Sequence, residues 1–356
     1  MQKIRYPPFE SDRVEPSGVP IIEVGIQHDE DGPPDFSIGN PDDWYVQWRD
    51  FEDSDSGMRV FSSSVYRDTP EFIKKSRFGW YIDPDPLHNV SRKLIYPTVI
   101  ILILTLFIHA IEPVLVDVGL ISEAIAGSFR FGPLEYPVLL IFSFPIFLMP
   151  LFFRTWANFR DFSKQNEFLN SPIANIDLEV EVSRESISIN EMKFPDSVEP
   201  TRIRCQVGVA IPKRSAIDFA LGRSEKMQPL PGMSTKLPAK RVATGDDAGT
   251  GVGEAMPMQA SEKKMLMLEP MRIMESGEWI DIVDNGANKM SVPLPQNEWP
   301  GTIYSDLIAV HWELVIQCKW RNVDCKWVQP VRMQDSNGPI AIHDAPVKSG
   351  RVELSN

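Results

Sequence analysis

The sequence predicts a membrane-anchored chain: a transmembrane α-helical hairpin, an all-β sandwich after it, and a largely disordered acidic region before it. Three observations point to this. Leu94–Ile111 (LIYPTVIILILTLFIHAI) carries no charge, and Val138–Phe153 (VLLIFSFPIFLMPLFF) is equally apolar. About 20 apolar residues let an α-helix cross a hydrocarbon core, where the backbone must satisfy its own polar groups. Beyond residue 170 the apolar positions recur every second residue, the period of a half-buried strand. The first 68 residues are acidic and broken by proline and glycine (YPPF, EPSGVP, DEDGPPDF), so they offer little apolar surface to offset chain entropy.

Within 1–68 one island differs. Asn40-Pro41-Asp42-Asp43 reads as a helix start, with a capping residue, proline at the first helical position and acids at the positive helix end. Trp44, Tyr45, Trp48 and Phe51 then share one face of a short helix over 41–51. Trp44, Trp48 and Phe51 are candidates for docking in a partner's groove. The alternative is that they pack on this protein's own folded domain. The acidic run Asp50–Gly57 fails as a calcium loop, because aligning its glycine puts Ser63 where a bidentate glutamate belongs. Residues 69–93 form a basic and aromatic approach to the membrane. There Lys74, Lys75, Arg77, Trp80, Arg92 and Lys93 suit a headgroup layer, as do Arg154 and Arg160 after the second apolar segment.

The first spanning helix is placed at 94–111, an external loop at 112–132 and the second helix at 133–153. The second reaches spanning length only by starting near Pro133 and carrying Glu135 at the interface. Lys74, Lys75, Arg77, Arg92, Lys93, Arg154, Arg160 and Lys164 flank the pair, against Arg130 alone in the bridge. That bias predicts a two-pass integral membrane protein with both termini cytoplasmic. Pro97, Pro145 and Pro150 can kink the helices. His109 and Glu135 are the ionisable groups near the bilayer, and both lie close to its outer interface, which argues against a proton path. A mean hydropathy of −0.17 is too polar for many spans. The net charge of −13 argues against a nucleic-acid partner. The bilayer and an unidentified protein are the expected partners, and the oligomeric state is open.

A linker over 154–170 leads to the sandwich at 171–335. Ile176–Val182, Ile187–Ile189 and Thr201–Ile211 alternate, and Leu307–Cys318 is the clearest strand, with His311 and Glu313 on its polar face. A two-residue turn at Arg321-Asn322 places Cys318 opposite Cys325, Ile316 opposite Trp327 and Trp312 opposite Val331, all on one face. Residues 222–263 lack periodicity and read as a flexible insertion, and 336–356 as a tail.

Leu294-Pro295, Pro300-Gly301-Thr302, Trp312-Glu313-Leu314 and the return strand ending at Pro330-Val331 resemble the C-terminal half of arrestin-like β-sandwiches. More narrowly, they resemble a family of two-helix membrane proteins carrying such a sandwich. The resemblance covers Val292–Met333 and implies a binding or scaffold module without a catalytic site. The alternatives are an accessory subunit of a larger membrane complex and an enzyme of unidentified class.

The chain has no HExxH, Walker A, G-x-S-x-G or G-x-G-x-x-G motif, so no catalytic residue and no cofactor is assigned. Cys205, Cys318 and Cys325 lack paired zinc spacing and read as buried apolar residues. Met256, Met258, Met265, Met267, Met271 and Met274 could ligate Cu(I), but a cytoplasmic placement weakens that reading.

Overall fold

A computed structural model describes residues 1–8, 11–28, 32–50, 59–82, 85–122, 126–212, 214–224, 256–257, 271–282 and 289–349. These fall into two compact units: a sheet unit formed by the described residues up to 82 and from 167 onward, and a helical unit between 84 and 166. The sheet unit begins with β1 (Gln2–Arg5), β2 (Ile22–Gln27), β3 (Phe36–Gly39), β4 (Tyr45–Trp48), β5 (Arg59–Ser62), α1 (Glu71–Arg77) and β6 (Gly79–Ile82). The helical unit holds α2 (Leu87–Asp117), β7 (Ser128–Phe131), β8 (Leu134–Pro137) and most of α3 (Val138–Asn170). The sheet unit resumes with β9 (Asp177–Val182), β10 (Ser186–Lys193), β11 (Val198–Ala210), α4 (Arg214–Ala220), β12 (Met256–Pro257), β13 (Ile273–Ser276) and β14 (Ile280–Asp281). It ends with β15 (Met290–Pro293), β16 (Ile303–Tyr304), β17 (Ala309–Trp320), β18 (Val323–Val331) and β19 (Ile340–Ile342).

The largest sheet runs β12-β6-β18-β17-β11-β13, with β14 on β11 and β16 on β17. Its centre is the long antiparallel pair β11–β17, where Ile203 faces Ile316 and Cys205 faces Leu314. The β17–β18 register matches the sequence-based expectation: Cys318 pairs with Cys325, Ile316 with Trp327 and Trp312 with Val331. Arg321 and Asn322 both take positive φ, 46° and 66°, as a two-residue type I′ turn requires. A three-stranded sheet, β15-β10-β9, buries Ile187, Ile189 and Val292. β17 departs from the expected half-buried strand, because its polar face is covered too. Ile73 of α1 packs with Tyr304 and Ala309, and Arg77 of α1 reaches Glu313.

Several expectations need correction. Residues 1–68 are not mostly disordered: they supply five strands of a six-stranded sheet, β19-β3-β4-β1-β2-β5, with Ile4, Val24, Ile38 and Val46 fully buried. The 336–356 tail completes it, since β19 pairs parallel to β3. No short helix forms over 41–50, the described part of 41–51. Asn40–Asp43 makes a turn instead, in which the Asn40 side chain accepts the Asp42 N–H and the Asn40 carbonyl accepts the Asp43 N–H. The same residue types cap helices and close such turns. Tyr45-Val46-Gln47-Trp48 is β-prone, and β4 finds β1 and β3 on its two sides. The second long helix starts at Val138, not 133, because Ser128–Pro137 folds as the β7–β8 hairpin around Gly132-Pro133, and it runs on to Asn170, so 154–170 is helix and not a linker. Most of the 222–263 insertion lies outside the described residues; within it, Met256–Pro257 pairs with β6.

Candidate membrane-facing site and buried ion networks

The helical unit turns the usual amphipathic pattern inside out. α2 has 31 residues and α3 has 33. At 1.5 Å per residue these are about 46 and 50 Å long, more than the ~30 Å hydrocarbon core requires. Both are long and apolar enough to cross a membrane. Ile103, Leu104 and Phe107 on α2 and Phe142, Leu151 and Phe152 on α3 point outward and are exposed. Between Ser91 and Glu112 on α2 and between Ser143 and Ala157 on α3 the buried positions are polar or small and recur every seven residues: Ser91, Thr98, Thr105 and Glu112; Ser143, Pro150 and Ala157. Seven-residue recurrence is the stripe along which two supercoiled helices face each other. The Ser91 hydroxyl donates to the Pro150 carbonyl across this stripe at 2.7 Å. Thr98 bonds back to the Leu94 carbonyl at 2.8 Å, and His109 Nδ1 lies 2.7 Å from Glu112 Oε2.

A cluster of charges closes the base of the pair. The Asp85 side chain caps α2 by accepting the Leu87 N–H at 3.0 Å. Buried Asp161 of α3 accepts the Asp85 N–H on both oxygens (3.0 and 3.1 Å), His88 Nε2 at 2.9 Å and Lys164 Nζ at 3.2 Å. Arg160 Nε lies 3.1 Å from Asp85 Oδ2. Sequence reasoning did not single out Asp85, His88 or Asp161. Asp85-Pro86 is a cap-and-proline start like the one read at Asn40-Pro41, and it could have been found.

The sheet unit contains a second network. Glu313 is fully buried and takes two bonds from Arg77, from Nε at 2.9 Å and from Nη2 at 2.5 Å. It also takes Gln206 Nε2 at 2.5 Å and His311 Nε2 at 3.0 Å. Burial alone would raise the Glu313 carboxyl, but the Arg77 guanidinium and the His311 hydrogen bond outweigh it and hold it down to about 2. Burial pushes His311 below its ordinary value, the bond to Glu313 opposing it only in part. An ionised Glu313 can only accept, so neutral His311 donates from Nε2 and leaves Nδ1 to accept the Tyr304 hydroxyl at 2.7 Å. The Thr69 hydroxyl approaches Tyr304 Oη at 3.4 Å. Every donor runs towards Glu313. Chemically, the arrangement locks α1 to the sheet, with Arg77, Gln206, Tyr304, His311 and Glu313 all buried.

The sequence-predicted site residues scatter. Trp48, in β4, and Trp44, just before it, are buried against this protein's own fold, the alternative reading, and do not line an exposed groove; Phe51 lies outside the described residues. Arg77 and Trp80, expected in a headgroup layer, are interior: Trp80 packs edge-on against Trp327 at 5.2 Å and donates to the Ala174 carbonyl. The reason is that Gly79–Ile82 joins the large sheet as β6, which needs inward-facing aromatics more than lipid contacts. Lys74 is exposed on α1, and the Lys75 side chain lies outside the described residues. Arg92 and Lys93 are exposed on α2, Arg154 is half-buried on α3, and Arg160 is drawn into the basal cluster. Cys205, Cys318 and Cys325 are buried free thiols, and burial raises those of Cys205 and Cys318. Comparison of the chain with family models, with curated proteins and with solved structures finds no match.

Proposed function

We propose that this chain is a non-enzymatic, membrane-anchored binding or scaffold protein whose helical pair crosses the bilayer twice and holds the sheet unit on the cytoplasmic side. One observation carries the anchoring: α2 and α3 bury polar residues between them and expose leucine, isoleucine and phenylalanine, a distribution that is stable in hydrocarbon and costly in water. The basic residues Arg92, Lys93 and Arg154, against Arg130 alone in the bridge, favour termini in the cytoplasm. The binding role rests on the arrestin-like resemblance of Val292–Met333, whose sandwiches are binding modules. The lipid bilayer and a protein are the partners, and no nucleic acid is one.

The test is alkaline extraction of membranes combined with an impermeant thiol reagent on intact cells. Gly127→Cys should label without permeabilisation and Ser349→Cys only after it, while the buried native thiols stay silent. Release of the protein by alkali, or the reverse labelling order, overturns the anchoring or the orientation respectively. A protein recovered with it from mild detergent in fixed proportion would supply the binding partner; if that protein spans the membrane itself, the chain is an accessory subunit of its complex.

A further inference from the structure

We infer that the β7–β8 ribbon is a lipid-binding element that lies in the headgroup layer at the bridge end of the helical pair, with its aromatic face towards the hydrocarbon. The inference rests on the membrane-anchor reading and deepens it. Ser128–Phe131 and Leu134–Pro137 pair antiparallel, with Phe129 opposite Tyr136 and Arg130 opposite Glu135. Gly132, at φ 63°, and Pro133 close the turn, with the positive angle a type II′ turn needs at its first central residue. Strand alternation puts Phe129, Leu134 and Tyr136 on one face and Arg130 and Glu135 on the other. All three apolar side chains are exposed, Phe129 and Leu134 by more than half. A lone two-stranded ribbon is marginal in water, so an amphipathic one with an open aromatic face needs a second phase beside it.

Axial arithmetic says which phase. The Ser91–Pro150 hydrogen bond fixes the level of α3 against α2. From Pro150 to its start at Val138, α3 rises about 18 Å, and its whole uncharged run to Phe153 is about 24 Å long. Both fall short of the ~30 Å hydrocarbon thickness. The ribbon runs directly into α3 at Val138, and meets the membrane where α3 runs out. Tyrosine and its aromatic neighbours favour that boundary, while Arg130 and Glu135 on the other face can stay hydrated. A ribbon submerged further would leave its outer backbone groups without partners. At the opposite end, exposed Arg92 and Lys93 are long enough to reach water from just inside the boundary.

The test is nitroxide depth measurement on the full chain in vesicles of phosphatidylcholine and phosphatidylglycerol. Single cysteines replace Phe129, Leu134, Tyr136 and Arg130 on the ribbon and Leu104 and Phe142 on the helices, with the unsubstituted chain as the labelling blank. The ratio of oxygen to nickel-chelate collisions should be highest at Leu104→Cys and Phe142→Cys, intermediate at Phe129→Cys, Leu134→Cys and Tyr136→Cys, and lowest at Arg130→Cys. Aqueous values on both ribbon faces, with the helix sites still lipid-like, overturn the inference and leave the anchor standing. Exclusion of both reagents from Phe129→Cys and Tyr136→Cys means that protein covers the face, and likewise overturns it. Aqueous values at Leu104→Cys and Phe142→Cys sink the anchor itself. Because three ribbon sites report on one face, failure of a single variant to fold does not spare the inference.

Discussion

Removing one partner of a buried ion pair costs more than the pair contributes, since the remaining charge keeps neither solvent nor counterion. Glu313→Gln would leave Arg77 in that state, and the unfolding free energy should fall by about 3–5 kcal/mol. Tyr304→Phe removes only the donor to His311 Nδ1 and should cost about 1–3 kcal/mol. Urea midpoints followed by tryptophan fluorescence rank the two, and equal losses would mean that the network does not converge on Glu313. The same groups set an acid limit. Burial depresses His311 from 6.5, so below about pH 6.5 the unfolded chain takes up a proton that the folded one resists. The Glu313 contribution is full above pH 4.5 and is lost as pH falls towards about 2. Stability should therefore decline first below about pH 6.5 and again below 4.5, and the second decline should be shallower in Glu313→Gln.

At the scale of elements, turn chemistry decided what could be read in advance. The β17–β18 pairing was legible because Arg321-Asn322 admits one register and the alternation on both strands agrees with it. Asn322→Val would force a β-branched residue to φ 66°, and the unfolding free energy should drop by about 1–2 kcal/mol, read as a lower urea midpoint; an unchanged midpoint would mean the turn does not set the register. Where local chemistry served two structures, sequence reasoning went astray. Asn40–Asp43 caps a helix as readily as it closes a turn, and the choice was made by strands β1 and β3 beside it. Ser128–Pro137 alternates and holds a Gly-Pro pair, yet the apolar density after it suggested one unbroken helix. The basal cluster was harder to see: Asp85 and Asp161 are far apart in sequence, and only the antiparallel course of α2 and α3 brings them together. The seven-residue recurrence of Ser91, Thr98, Thr105 and Glu112 was in plain view, but length alone had already settled the helix.

At the scale of the molecule, the sheet unit is assembled from both ends of the chain. β19 lies against β3, and the Gln2 side chain and Ser305 hydroxyl exchange hydrogen bonds at 2.9 and 3.1 Å. Composition could not reveal this, because the partner that closes the sheet at β3 lies roughly 300 residues away and local polarity says nothing about such a neighbour. Deleting 336–349 should therefore unzip the edge of a sheet that the first strands need, lowering the melting temperature and exposing Phe36 and Ile38; an unchanged melting curve would make β19 an ornament. The helical unit is by contrast an excursion between β6 and β9. Among the described residues, the large apolar side chains exposed outside 84–166 are only Val60, Tyr66, Phe78, Leu169 and Phe219. Replacing 84–166 with a glycine–serine linker adds a loop-closure cost that grows only slowly with length. Such a chain should be soluble without detergent and unfold in one cooperative step, with the Glu313 network intact. If it instead aggregates, the sheet unit depends on the helical pair for more than attachment, and the division into an anchor and the domain it carries is wrong.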